Sequence, residues 1–400
     1  MERIIVDCVL SYLMDNNLLH PAQHGFFKNR STCTNVLESL NDWTVVLQDN
    51  DALTVVYIDF RKAFDTVSHP KLTSKLKSYG ISGSLLSWFQ EYLHDRSHCT
   101  HIGKTCSVFL PMLSGIMIQG SVIGPLLFLI FINDLIVLSA SVGISVKVFA
   151  DDMKVYVRVT GSIDSIKLQL ALDLLTDWAS IWQLQLSVDK CFTLNLGKPK
   201  CDVASHIDSN ILPVVGLQTC RDLEVTVCSD LTPAVHIDQI VAKAHQRANN
   251  ILCYFVSRDP QSLTKAFITY VRPLLEYNSI IWSPYIKQDV DRIEQVQRRF
   301  SNRLRGLRTY TYENRLKSID LPSLELRRLR NDLAWCYRIV FGLTVLKFSE
   351  FFDWSPATRT ARTGDLIVFF FYSVMNEIKD YNCQNVSGVP NVDYRCTPLE

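Results

Sequence analysis

TVVYIDFRKAFD (54–65) and VKVFADDMKVYV (146–157) decide the reading of this chain. In the first, Thr54-Val55-Val56-Tyr57-Ile58 has the pattern of a buried strand and runs straight into Asp59. In the second, Val146, Val148, Val155 and Val157 alternate on either side of Ala150-Asp151-Asp152. That pattern predicts a β-hairpin with two acids near its tip. An ordinary strand has no use for a carboxylate in either place. If the two segments are neighbours in one sheet, three carboxylates converge on a small patch, and like charges so close call for a cation. Oxygen-rich sites suit magnesium, which takes one or two carboxylates and keeps water or phosphate for the rest of its shell. Two such ions about 3.5–4 Å apart form the clamp used in nucleotidyl transfer. The plainer reading of Asp151-Asp152 alone is an acidic surface turn.

Composition sets the limits. Four hundred residues suffice for a sizeable core and two or three subdomains. With 48% apolar and 20% charged residues the chain is globular rather than disordered. A net charge of +1 does not advertise nucleic-acid binding, so any such case rests on local charge. The 12 cysteines include no C-x-x-C pair, and Cys383 and Cys396 lack the neighbours of a zinc knuckle. Free, mostly buried thiols in a reducing compartment are expected. No apolar N-terminal segment suggests secretion. The longest greasy stretch, Val122–Ile132, holds Gly124 and Pro125 and reads as too short to span a bilayer.

A coarse pass gives three parts. Residues 1–230 mix helices with strands, 231–345 turn helical and basic, and 346–400 form a divergent tail. Ile4, Ile5, Cys8, Val9, Tyr12 and Leu13 recur at helical spacing, and an amphipathic helix is expected near 162–182. Further on, Ile293, Val296, Phe300 and Leu304 make one face of a helix over Asp289–Leu307. Its other positions carry Arg292, Arg298, Arg299, Arg303 and Arg305 against a lone Glu294, followed by Arg308 and by Arg327, Arg328 and Arg330. Such a helix can pack on its own domain while tracking a phosphate backbone; the bland alternative is a solvated charged face.

The motifs resemble those of reverse transcriptases from non-LTR retrotransposons, the LINE elements, most like the jockey and CR1 groups. YIDFRKAFD is similar to their first catalytic motif and FADD to their third. HGFFKNRSTCTNVL (24–37) resembles the fingers segment, QGSVIGPLLFLIFINDL (119–135) the second palm motif, WQLQLSVDKCFTLNLG (182–197) the segment after the catalytic hairpin, and YVRPLLEYNSIIWSP (270–284) the region beyond it. The similarity runs from about residue 2 to about residue 345.

The resemblance implies an α+β right-hand polymerase, fingers and palm followed by a helical thumb, that copies RNA into DNA. It implies two Mg2+ ions (Mn2+ as substitute) held by Asp59, Asp151 and Asp152 with the backbone carbonyl of Phe60. It places Phe64 under the sugar of the incoming nucleotide, Gln119 and Gly120 against nucleotide and template, and Lys190 near the site. Lys28, Arg30 and the arginines 292, 298, 299, 303 and 305 become nucleic-acid contacts. Asp65 is expected to cap or brace a nearby helix, and His69 to sit in a turn. Partners would be an RNA template, a DNA primer or target and deoxynucleoside triphosphates, with no membrane, in a nuclear and cytoplasmic ribonucleoprotein.

Departures from the pattern point the other way. SGIMIQGSVIGP (114–125) has one residue more before Gln119 than the pattern S-G-V-P-Q-G-S-x-L-G-P, and lacks its proline. Glu224, in RDLEVTV (221–227), stands where the family usually has glycine; if that position needs a positive φ, glutamate there is strained. The family's endonuclease segment is not in this sequence, which opens inside the fingers and so resembles a truncated copy. The alternative function is therefore a catalytically inactive, nucleic-acid-binding remnant.

Overall fold

The computed structural model describes residues 1–112, 114–116, 121–198, 205–207, 210–214, 219–354 and 367–369. Its centre is a four-stranded antiparallel sheet of β1 (Ala52–Ile58), β2 (Ser145–Phe149), β3 (Asp152–Val159) and β4 (Phe192–Leu196), in the order β2-β3-β1-β4. The two motif strands are therefore direct neighbours. Their register pairs Tyr57 with Lys154 and Ile58 with Met153. Continued by one step, it sets Asp59 opposite Asp152.

Strand alternation splits the sheet into two faces. Val56, Ile58, Met153, Val155, Val146 and Val148 join one core with α1 (Glu2–Asp15), α4 (Ile123–Ser141) and α5 (Ser162–Trp182). Leu53, Val55, Tyr156 and Leu194 join a second core with α2 (Thr32–Gln48), α6 (Ala234–Tyr254) and α7 (Lys287–Asn302). The basic helical part thus shares a core with the central sheet rather than hanging from it. A hairpin, β5 (Thr219–Asp222) and β6 (Val225–Cys228), precedes α6 near the expected boundary at 230. Of the tail, residues past 369 lie outside the described part, and with them Cys383 and Cys396.

Several expectations need correction. The greasy stretch is one part of the 19-residue α4, which is long and apolar enough to cross a membrane by length and composition. Thirteen of its residues are buried in the protein, the signature of a core helix. On α1 the buried face is Val6, Val9 and Leu13, while Ile4 and Tyr12 are exposed. The basic helix stops at Asn302, although Leu304 beyond it is buried too. The thiols, by contrast, are free and mostly buried as expected: of the nine described cysteines, all free, five are buried. His69 opens α3 (His69–Ser78), with Nε2 2.7 Å from the Gly115 carbonyl. Ser68, not Asp65, is the N-cap of α3; Asp65 offers its carbonyl to Ser114 Oγ at 3.0 Å.

Candidate active site

Asp59 follows β1, and its backbone is fixed from one side. Its carbonyl accepts from Ser187 N at 2.8 Å, Arg61 N donates to Gln185 O at 2.8 Å, and its own N–H meets the buried Cys191 Sγ at 3.4 Å. Phe60 bridges Leu186 antiparallel, and the ladder bonds run through its neighbours. Among the described residues no N–H donates to the Phe60 carbonyl.

Asp151 and Asp152 are delivered by a two-residue turn. Phe149 pairs with Asp152, and Ala150 turns the chain at φ +58°. An alanine there is strained, since positive φ is normally left to glycine. Gln23, which is buried, holds it. Its Oε1 accepts from Ala150 N at 2.9 Å and from Gly25 N at 2.8 Å, and its Nε2 donates to Ala150 O at 3.2 Å. Residues 22–24 lie parallel to β2, with His24 N donating to Val148 O at 2.8 Å and Val148 N to Ala22 O at 3.0 Å. Gly25 makes room for this approach, because a Cβ on it would stand 2.4 Å from Ala150 N. Sequence reasoning misses Gln23, whose only signal is an amide two residues before a glycine.

The acids feel one another. Desolvation, then the charge of Asp59, raises Asp151 above the usual carboxylate range, against its own backbone N–H and Lys190. Desolvation, then Asp151, Asp222 and Asp59, pushes Asp152 up to about 6, although its side chain still meets solvent. Lys190 Nζ stands 3.3 Å from Asp59 Oδ2. The expected convergence is looser than a cage: among the described residues no three Asp, Glu, His or Cys side chains are grouped so as to hold a metal ion. Carboxylates spread in this way fit a cation that completes its shell with water and phosphate.

Beside these acids lies a cavity of about 150 Å3 lined by Asp59, Asp152, Lys190, Lys154, Arg221 and Asp222. Asn35 also reaches it, donating Nδ2 to Val148 O at 3.1 Å. Phe64 is half-buried, its ring stacked 4.2 Å from Phe128 and edge-on to Phe26 at 6.3 Å. Gln119 and Gly120 lie outside the described residues. Their flanks are anchored: Ile116 N donates to Phe64 O at 3.0 Å, and Ser121 Oγ accepts from Ile123 N at 3.1 Å and Gly124 N at 3.3 Å.

The basic residues divide. Lys28 is exposed. Arg30 is turned inward, donating from Nη1 to the carbonyls of Pro21 and Gln23. Arg292 pairs with Asp238 and Asp289, Arg298 lies 4.9 Å over Tyr312, and Arg303 donates to Asn249 Oδ1 at 2.5 Å. Arg327 makes a two-point pair with Glu276, and Arg328 is buried. Glu294 does not belong to the exposed face at all. It is buried and accepts from Leu324 N at 3.3 Å and Glu325 N at 3.1 Å, the start of α8 (Leu324–Val340). Arg299, Arg305 and Arg308 remain exposed, and among the described residues none of them makes an ion pair.

The family described as reverse transcriptase (RNA-dependent DNA polymerase) matches residues 1–220. A probable RNA-directed DNA polymerase from transposon BS of Drosophila melanogaster is 26% identical over 317 residues, covering 74% of this chain and 34% of the relative. The RNA-directed DNA polymerase from mobile element jockey of the same organism is 22% identical, covering 79% and 36%. The chain thus spans about a third of the length of these curated relatives. Among solved structures, apo telomerase from Candida tropicalis superposes with a TM-score of 0.46 at 10% identity, over 80% of this chain and 50% of that one. With the profile match covering more than half of its length, this chain belongs to the reverse transcriptase (RNA-dependent DNA polymerase) family.

Proposed function

We propose that this chain is the polymerase portion of a non-LTR retrotransposon reverse transcriptase, extending a DNA primer on an RNA template with deoxynucleoside triphosphates. One observation carries the reading: the strand register sets Asp59 opposite Asp152, with Asp151 in the turn beside them and Lys190 against Asp59. Acids held together at the cost of mutual repulsion mark a site that works with a cationic or phosphate-bearing ligand.

Asp59, Asp151 and the Phe60 carbonyl would hold two Mg2+ ions, with Asp152 in support. When bound, the ions supply charge neutralisation at the phosphates and a more acidic primer 3′-hydroxyl. The chain's own groups do the rest. The Ser187 and Arg61 hydrogen bonds hold Asp59 in place. Lys190 steadies its carboxylate and adds positive charge where phosphates would sit. Phe64, wedged between Phe128 and Phe26, forms a rigid floor for a sugar. Arg299 and Arg305, exposed on the helical part, would meet the duplex backbone. The sensible setting is a ribonucleoprotein of the nucleus and cytoplasm.

Primer extension on poly(rA)/oligo(dT) with magnesium and dTTP, beside Asp151→Asn, tests this. Extension by the parent should fall by about a thousandfold or more in the variant, as when a principal electrostatic contributor is removed. A folded parent that binds the duplex without extending it would establish the inactive remnant instead.

A further inference from the structure

After the helix Gly83–Leu93 the chain runs out into an exposed hairpin. Its outer half pairs His101 with Cys106 and Ile102 with Thr105, around Gly103 at φ +59°. Its inner half pairs Ser97 with Pro111 and His98 with Leu110. From His98 to His101 is three steps, but from Cys106 to Leu110 is four, so the returning strand carries one extra residue. Such a bulge bends the strand and increases its twist. Thr100 and Ser107 join the two halves: Ser107 N donates to Thr100 O and Thr100 N to Ser107 Oγ, both at 2.9 Å.

This geometry sets two thiols against each other. Cys99 lies two residues before His101, the partner of Cys106, so the two cysteines are diagonal neighbours on one face of the ribbon. Their sulfurs are 3.1 Å apart, about 1 Å more than the ~2.05 Å of a disulfide bond. Cys99 is half-buried and Cys106 exposed, so a small reagent reaches both. Five other described thiols are buried, and Cys8 and Cys253, which are exposed, sit on separate helices, α1 and α6.

We propose that Cys99 and Cys106 are a dithiol that closes reversibly to a disulfide by exchange with low-molecular-weight disulfides of the oxidised-glutathione type. The Cys106 thiolate, its proton released to solvent, attacks one sulfur of the small disulfide and expels the other, which takes up a proton. The Cys99 thiolate then attacks the Cys106 sulfur of the mixed disulfide and expels the second small thiol. Two protein thiols are oxidised and one small disulfide is reduced to two thiols; an excess of small thiol runs both steps backwards. The second step is intramolecular between sulfurs that the ladder already holds together, so it outpaces attack by free small thiol. At the base of the hairpin Met112 N donates to Arg96 O at 2.7 Å, and just beyond it Ser114 Oγ and Gly115 N are tied to the carbonyls of Asp65 and Val67. Closing the bond therefore fixes the ribbon that leads into this anchored segment. None of this depends on the polymerase function proposed for the chain.

Trypsin separates the two residues, since Lys104 lies between them and Arg96 and Lys147 bound the fragments 97–104 and 105–147. The full chain is held at neutral pH with excess oxidised glutathione, blocked with an alkylating reagent, digested, and read by mass spectrometry without reductant. The two fragments should be joined in at least about nine-tenths of the molecules and come apart with dithiothreitol, while Cys8 and Cys253 carry glutathione. Diluting the protein about tenfold should leave the joined fraction unchanged, as a bond within one chain requires. Urea, which frees the hairpin, should slow the joining step at least about tenfold. Cys99→Ser should abolish the joined pair and leave Cys106 as its glutathione adduct. Separate adducts on Cys99 and Cys106 in the parent, or thiols there that stay free while Cys8 and Cys253 react, overturn the dithiol. So does a joined fraction that falls on dilution, or a joining rate that urea leaves unchanged.

Discussion

Where β1 and the β2–β3 turn end, three carboxylates crowd together with Lys190 as the near counter-charge; on and beyond α7, by contrast, several of the arginines have found partners within their own chain. Both regions read in the sequence as concentrations of like charge. Folding neutralises part of one and leaves the other. Arg292 goes to Asp238, Arg327 to Glu276, Arg303 to Asn249, and the attraction is used up internally. Asp151 and Asp152 are instead pushed above the normal carboxylate range, which means that the fold holds them against their preference. Charge density alone is a weak mark of a site. Charge left uncompensated by a rigid scaffold is a stronger one.

Glu38 offers the sharpest way to break that contrast, because it lies on α2 against the same sheet and behaves oppositely to Asp152. Despite burial, His24, whose Nε2 stands 3.3 Å from Glu38 Oε2, and the pairing with Lys147 hold its carboxyl down at about 2. A depressed carboxylate adds stability that is fully present above its unfolded value near 4.5 and is lost as pH falls through about 2. Glu38→Gln should therefore cost about 2–3 kcal/mol at pH 7, with the difference from the parent shrinking as pH falls below 4.5. Asp152 carries the reverse sign: its raised folded value penalises the folded state above pH about 6, and the penalty fades as pH drops toward 3.8. Asp152→Asn should raise the Tm at pH 8 by roughly 1–2 °C, the exposed carboxylate being partly screened, and leave it unchanged at pH 3.5. Denaturation curves at several pH values, run without added divalent cation, decide both. Two variants that shift stability in the same direction would erase the distinction between compensated and uncompensated acids.

The sheet, the hairpin and the helix over 162–182 were legible because each has one period and clear stops: Thr54–Ile58, Val146–Val157 and Ser162–Trp182 need no distant partner to declare themselves. Asp59 and Asp151 were legible for the same reason, as charges that break an apolar run. What stayed hidden depends on contacts between distant segments. Gln23 holds a turn 127 residues away, and Glu294 caps a helix that starts thirty residues on. Nothing local distinguishes either from a surface side chain. The arginines fail for a related reason: helical periodicity tells which face is wet, but not which acid from α6 will come to meet it.

Sorting the arginines is the next test in size. Arg327→Ala removes a two-point pair and should destabilise the fold by about 1–2 kcal/mol while leaving duplex affinity within about twofold. Arg299→Ala and Arg305→Ala should do the opposite, leaving Tm alone, weakening primer–template binding about two- to fivefold and reducing its salt slope by about one. Fluorescence anisotropy across a salt series, beside thermal melts, separates the two classes. If Arg327→Ala weakens binding as much as Arg299→Ala, internal pairing does not withdraw an arginine from the interface.

The smallest expected effect lies at the tip of the β5–β6 hairpin, where charge and backbone compete. Leu223 and Glu224 both adopt positive φ, +43° and +70°, the conformation that two-residue hairpins normally give to Asn-Gly. Glu224 is strained there, and its partial compensation is a local pair with Arg221, both side chains being well exposed. An exposed pair of that kind contributes about 0–1 kcal/mol, whereas a non-glycine residue in this conformation costs about 1–2 kcal/mol. Backbone strain should win narrowly. Glu224→Gly then stabilises the protein by roughly 0.5–1 kcal/mol, seen as a small rise in Tm, the more flexible unfolded chain offsetting part of the gain. A fall in Tm would mean that the Arg221 pair outweighs the strain, so that even a solvated pair at a hairpin tip rivals the crowded and buried charges of the palm in its hold on the fold.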